Sequence, residues 1–355
     1  SEETEEHSLR IESINETVKF AYLPSLEPIW GVLSLLRGEP THTLCTDIYG
    51  IEQIHIWKRK YSFLFESYKA IEKAAPTNII DFLLDIPVED ITLDCFQKSI
   101  LAIPSIEFLW RIMDLEYKKE ASMEILERAF TDDVALDIAY SWLEDQCDSF
   151  LAFAAFVRQS KRFLSEFFAL AYEMDNQDLH QILLSLDGKV EQMLNVTRAG
   201  IMEKGAFEFS EFKMGKTFRN RGPYAEFVFL PAYLMPYKAC RSFHVKEDYK
   251  RQFLFMTLRT SYHTQADTVK ALKSIADSTR YQILVLLAKK GTMRGFEIAK
   301  ELSIATSTLS HHMDQLKESG LITEEPVKNS KYHVLNKQTA KEPVAEISKD
   351  FCIHN

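Results

Sequence analysis

Between about Asp267 and Leu335 the chain carries a fixed succession of short amphipathic segments: TVKALKSIADSTRYQILVLLAKKGTMRGFEIAKELSIATSTLSHHMDQLKESGLITEEPVKNSKYHVL. This order restricts the fold more than any other feature of the sequence. Val269, Leu272 and Ile275 recur at helical spacing and predict a first helix. Asp277 or Ser278 is a suitable N-cap for a second, whose inward positions are Ile283, Leu284, Leu286 and Leu287 and which Gly291 ends. Gly295 or Phe296 opens a third helix with Ile298, Ala299 and Leu302 inward, and Ser303-Ile304 makes a tight turn. A fourth starts at Thr306 or Ser307, buries Leu309, Met313 and Leu316, and stops at Gly320. LITEEPVKNSKYHVL then reads as a strand, a turn at Asn329-Ser330 and a returning strand.

Short helices closed by a hairpin describe a winged helix-turn-helix, whose expected partner is double-stranded DNA. The fourth helix, residues 306–319, has a narrow apolar stripe. Its other face shows Thr306, Ser307, Thr308, Ser310 and His311 near the N-terminus. These short donors and acceptors let the backbone approach a major groove closely, and a helix N-terminus favours phosphate. Lys317 lies further along the helix, while Lys328, Asn329, Ser330 and Lys331 occupy the hairpin tip, within easy reach of phosphates.

The segments LKSIADSTRYQILVLL, EIAKELSIATSTLSHHMDQLKESGLI and KNSKYHVL resemble the ArsR-type winged-helix regulators. In that family the box seen here as Asp277, Thr279 and Arg280 opens the second helix. The resemblance implies a homodimer that represses transcription and releases DNA on sensing a signal. Ala305 departs from the serine usual at the start of the recognition helix, so Thr306 is expected to cap instead, and Pro326 is unusual in the wing strand. LPSLEPIWGVLSLLRGEPTH and GPYAEFVFLPAYLMPY resemble stretches of the long N-terminal domain, of unassigned function, that precedes some ArsR-type winged helices. Many family members bind a thiophilic metal through a Cys-x-Cys run in or before the third helix. Residues 292–297 here contain neither Cys nor His, so no metal site and no cofactor are expected. Cys352 and His354 supply only two ligands at the chain end.

The remaining 265 residues or so are acidic. From residue 266 onward there are 13 Lys+Arg and 11 Asp+Glu, a balance of +2, against −12 for the rest of a chain whose net charge is −10. Such a front part limits non-specific DNA binding. Residues 9–22 read as a strand and Ser25 to Arg37 as a helix. Apolar spacing then predicts helices over 90–103, 105–117, 122–130, 133–156, 150–174 and 177–195. After a polar stretch at 206–221, YAEFVFLPAYL, CRSFHVK and RQFLFMTLR read as short strands punctuated by Pro231 and Pro236, and the first strand joins that sheet. The expected fold class is mainly α (α+β). Residues 1–262 form a helical domain with a small sheet, for sensing or dimerisation, 263–340 the winged helix-turn-helix and 341–355 a tail.

No apolar run is long enough to span a bilayer and the N-terminus has no signal-peptide character, so a cytoplasmic protein with no membrane partner is expected. The five cysteines lie far apart and read as reduced thiols. No phosphate-binding glycine loop, metalloprotease motif, nucleophile elbow or Ser/His/Asp set is present, so no catalytic residue is nominated and no enzyme is expected. Twenty-four Phe, 14 Tyr and 4 Trp, concentrated before residue 256, either fill a large core or line a pocket for an unidentified small-molecule effector. The alternative reading makes the winged helix a protein-interaction module beside an enzymatic or ligand-binding N-terminal domain.

Overall fold

The computed structural model describes residues 9–38, 43–219, 222–244, 250–259, 265–327 and 330–350. The chain divides into two compact units: Ser1–Ala206 with Gly222–Leu258, and Phe207–Arg221 with Arg259–Asn355. No helix among the described residues is long and apolar enough to cross a membrane.

The front unit begins with a hairpin, β1 (Arg10–Ser13) and β2 (Val18–Tyr22), where one strand was expected over 9–22. The Asn15 side chain accepts the Thr17 N–H at 2.9 Å, and the Ile14 N–H bonds to the Val18 carbonyl at 2.8 Å, which closes the turn. Helices follow: α1 (Glu27–Arg37), α2 (Thr43–Tyr49), α3 (Ile51–Lys60), α4 (Ser62–Tyr68), α5 (Leu93–Ala102) and α6 (Ser105–Ile112). Then come α7 (Met123–Arg128), α8 (Asp133–Ser141), α9 (Phe150–Arg158), α10 (Ser160–Met174), α11 (Gln177–Leu184) and α12 (Asp187–Lys204). The spans 133–156, 150–174 and 177–195, each expected as one helix, are thus each divided between two.

The sheet is completed by β3 (Glu226–Ala232), β4 (Ala239–Phe243) and β5 (Arg251–Thr257), in the order β1-β2-β3-β5-β4. Strand β2 runs parallel to β3, so the start and end of the front unit meet in one sheet. The continuous apolar runs in β3 and β5 follow from parallel pairing between strands covered on both faces. Pro231 fits within β3 because the β2–β3 pairing ends at Phe20 opposite Phe229, so no ladder bond is demanded on that side.

Helix α1 lies at the centre. Every residue from Glu27 to Leu36 is buried, and Trp30 meets Phe255 of the sheet edge-on at 5.0 Å. A Cβ at Gly31 would come within 2.5 Å of the Met174 methyl, so the glycine permits close approach of α10. The buried Glu27 carboxylate accepts the backbone N–H groups of Tyr233 and Leu234 at 2.7 and 2.8 Å, which offsets its desolvation. Ser34 donates to the Leu234 carbonyl at 2.8 Å. The phenylalanine load is core: Phe156–Phe163, Phe163–Phe167, Phe167–Phe168 and Phe96–Phe168 form a chain of fully buried rings 4.9–6.3 Å apart.

A 3-10 helix, Asn78–Asp85, packs on β4 and β5. Asp81 there accepts the Ser242 hydroxyl, and Asp85 pairs with Arg111 at 2.7 Å and faces His244 at 3.6 Å. Burial, opposed by the Ser242 hydrogen bond, pushes the Asp81 carboxyl up to about 7.

The second unit takes α13 (Ala206–Met214), which falls in the polar stretch where no helix was expected. Its Phe209 is buried, and Phe207 meets Phe218 edge-on at 5.5 Å. The unit continues with α14 (Gln265–Ile275), α15 (Ser278–Lys290), β6 (Met293–Arg294), α16 (Gly295–Leu302), α17 (Thr306–Glu318), β7 (Ile322–Val327), β8 (Ser330–Leu335) and α18 (Lys337–Asp350). Helix α18, capped by Asn336 and packed with α14, runs across residue 341, where a tail was expected to begin. This is a winged helix-turn-helix, so the fold is the expected mixture of a helical part with a small sheet and a C-terminal winged helix.

Candidate nucleic-acid interface

Helix α15 starts where expected. The Asp277 side chain accepts the Arg280 N–H at 2.9 Å, and that bond, ahead of other causes, holds the Asp277 carboxyl below the usual carboxylate range. Gly291, at φ 78°, ends the helix in a conformation costly for other residues. Helix α16 opens with the Glu297 carboxylate accepting the Arg294 N–H at 2.8 Å, while the Arg294 guanidinium donates back at 2.8 Å. Ser303 adopts a left-handed conformation (φ 53°, ψ 41°), and the Ile304 N–H returns to the Ala299 carbonyl at 3.0 Å. This is the tight turn that separates α16 from α17.

Leu309, Met313 and Leu316 of α17 lie at 3%, 3% and 0% exposure in a core with Ile283, Leu284, Leu287, Ile298 and Ile322. That burial fixes the rotation of the helix. It leaves Thr306, Ser307, Thr308, Ser310 and His311 all exposed, over the first two turns. The helix starts after Ala305, which offers no side-chain cap, and Thr306 stands inside the helix instead of capping it. The first N–H groups of α17 therefore have no side-chain cap and lie beside a row of exposed hydroxyls, an arrangement suited to a phosphate or a polar groove edge. Ser310 donates back to the Thr306 carbonyl at 3.0 Å, and Lys317 pairs with Asp314 at 2.8 Å, which reduces its availability for an anion. His312 is half-buried, its Nδ1 3.6 Å from Asp277.

The wing is a three-stranded sheet in the order β6-β8-β7, one strand more than the expected hairpin. Pro326 keeps its place opposite Lys331, so β7 runs past it without a break. Lys328 and Asn329 lie outside the described residues. Lys331 is placed in β8 by its backbone. Val269, expected inward on α14, is 41% exposed.

Two features were not anticipated. Arg280 ties three elements together: Nε donates to the Ser274 carbonyl at 2.6 Å, Nη2 to that of Lys273 at 3.1 Å and Nη1 to the Gln315 side chain on α17. Gln315 in turn contacts the His311 ring at 3.3 Å, so Arg280 reaches α17 directly and His311 through one intermediary. Replacing Arg280 by alanine is expected to destabilise the second unit by about 1.5 kcal/mol, through loss of charge-assisted bonds to two carbonyls. Lysine should recover little of that, since it lacks the planar fork. Chemical denaturation of the three proteins measures both, and a fully rescued lysine variant would show that charge alone matters. The second feature is Lys300 on α16, exposed and without an ion pair among the described residues, where it is free for a phosphate.

No group of three or more His, Cys, Asp or Glu among the described residues is gathered for a metal ion. Cys352 and His354 lie outside the described residues.

Residues 277–324 match the model of the family described as bacterial regulatory protein, arsR family. A stretch of 50 residues is 42% identical to an uncharacterized HTH-type transcriptional regulator of Methanocaldococcus jannaschii, covering 14% of this chain and 56% of that protein. The chain thus spans little more than half the length of that relative. Among solved structures, HlyU from Vibrio cholerae is 25% identical with a TM-score of 0.21, covering 24% of this chain and 94% of its own. An ArsR family transcriptional regulator is 20% identical with a TM-score of 0.23, covering 26% and 98%. The match to the arsR family model thus lies within the second unit, and the long N-terminal region has no assigned relative among these.

Proposed function

We propose that this chain is a sequence-specific DNA-binding transcription regulator, acting as a dimeric repressor. One observation carries the reading: Thr306, Ser307, Thr308, Ser310 and His311 form a continuous exposed polar row over the first turns of α17, while the opposite stripe is locked into the core. In a winged helix this row enters the major groove, with Lys328, Asn329 and Lys331 of the wing and Lys300 of α16 on phosphates. The arsR-type match over residues 277–324 supports the same assignment. Dimerism follows from charge. A balance of +2 beyond residue 265 neutralises few phosphates, so useful affinity needs two copies on one duplex. The acidic front unit is the sensing part, answering a small effector, and the protein works in the cytoplasm.

Fluorescence anisotropy on duplexes from the flanking genomic region, against random duplex, tests the assignment. Ser310→Ala and His311→Ala should each weaken specific binding by about 1–3 kcal/mol and leave random-duplex binding unchanged. Lys328→Ala and Lys331→Ala should weaken both and reduce the salt slope by about one each. Equal losses on both duplexes for all four variants would refute base reading by α17. The rings of Tyr281 and Phe296, 56% and 55% exposed, favour a second reading, in which the winged helix docks a protein. Absence of salt-dependent binding to any duplex would select it.

A further inference from the structure

Within the front unit a cleft of about 370 Å³ is lined by Arg10 and Tyr22 of the β1–β2 hairpin and by Asp187, Gly188, Val190 and Glu191 of the first turns of α12. Tyr22 is 4% exposed, yet its hydroxyl has no hydrogen-bond partner among the described residues. A buried hydroxyl left so is uncommon in a folded protein and points to a group that arrives from outside. Arg10 is committed, to Glu12 at 2.5 Å and to Glu191 at 2.7 Å, and Glu12 is held further by Arg198 at 3.0 Å. Asp187, exposed at the start of α12, makes no ion pair or hydrogen bond among the described residues. The lining therefore holds one cation against two carboxylates, and the uncommitted charge is negative.

Burial, and after it the charges of Glu27 and Asp187, raise the Tyr22 hydroxyl far above the ordinary phenol range. The phenol stays protonated. An anion entering here would meet the Asp187 carboxylate, and no cation of the lining is uncommitted to receive it. A cation finds a carboxylate and a phenol oxygen, both acceptors without a partner among the described residues.

We propose that this cleft binds a small organic ammonium compound, whose cationic head pairs with Asp187 and donates to the Tyr22 oxygen while its hydrocarbon lies against Val190. Size agrees, since small-molecule sites enclose about 300–1,000 Å³. The site belongs to the front unit and is independent of what α17 reads.

Isothermal titration calorimetry on the full chain, without DNA, tests the proposal with butylamine, putrescine and spermidine, and with butyrate and butanol as anionic and neutral counterparts. Saturable binding of at least one amine, and of neither counterpart, is the expected result. Asp187→Asn and Tyr22→Phe should each weaken it about tenfold or more, because each removes a hydrogen bond to a charged group. Glu89→Gln, at an exposed carboxylate elsewhere on the front unit, should leave it unchanged. Circular dichroism of the unliganded variants checks folding, and both substitutions conserve shape. No heat with any amine, equal binding of butyrate or butanol, or equal weakening by Glu89→Gln would overturn the site.

Discussion

Replacing Leu316 with alanine is expected to cost the second unit about 2–5 kcal/mol, the range for a fully buried leucine whose surroundings collapse only partly. Leu316 is 0% exposed and packs in one cluster with residues of α15, α16 and β7. It lies on the last turn of α17 and has no place on the exposed row. The loss should therefore appear first as disorder of α17 and only through that as weakened DNA binding. Hydrogen exchange separates these. Amides of residues 278–322 should lose protection, while those of β3 and β5 keep theirs, since the strands belong to the other unit. Uniform loss over the whole chain would mean that the two units unfold as one. Because stability is commonly about 5–15 kcal/mol, the loss is a large share of what holds such a unit folded.

The second large effect has the opposite sign. At pH 8, Asp81→Asn is expected to stabilise the front unit by about 2 kcal/mol. Asp81 has its carboxyl raised from 3.8 to about 7, chiefly by burial, so the folded state holds a proton that the unfolded chain releases at lower pH. Its contribution to stability is complete below about pH 3.8 and is lost as the pH rises through 7. The full linkage over that interval is about 4 kcal/mol, which we reduce by half because Asp81 is only half-buried. Asparagine accepts the same Ser242 hydrogen bond without the charge. Urea melts at pH 5 and pH 8 should show the wild type losing stability across the interval and the variant holding level. Parallel pH dependence in both proteins would remove Asp81 as the cause.

The winged helix was legible because its signals are local. Leu309, Met313 and Leu316 mark one face of a helix by spacing alone, Asp277 caps by its own chemistry and Gly291 stops by its backbone freedom. The third wing strand was not legible: Met293 and Arg294 become a strand only when His333 and Tyr332 arrive beside them. The same holds for Arg280 and Gln315, which lie on different helices and share a bond that spacing cannot announce. In the front part, helices could be counted roughly, but their ends depend on packing. Residues 9–22 looked continuous because both strands of the hairpin are β-prone, and only the Asn15 turn divides them. The exposed row on α17 was readable as chemistry. The amine cleft was not, because Tyr22 and Asp187 are remote in sequence and the phenol is notable only for the partner it lacks.

Helix α13 belongs by its contacts with residues that follow Arg259, although it is flanked on both sides by chain that builds the front unit. The polypeptide passes from one unit to the other after Ala206, returns after Arg221 and passes again after Leu258. The chain therefore crosses between the two units three times. A protein cut to begin at residue 263 would keep the helix-turn-helix yet discard Phe209 and Phe218, which are 2% and 7% exposed in the whole chain. Because α12 runs through Gly205 directly into α13, a cut moved back to keep α13 parts it from the helix whose first turn carries Asp187.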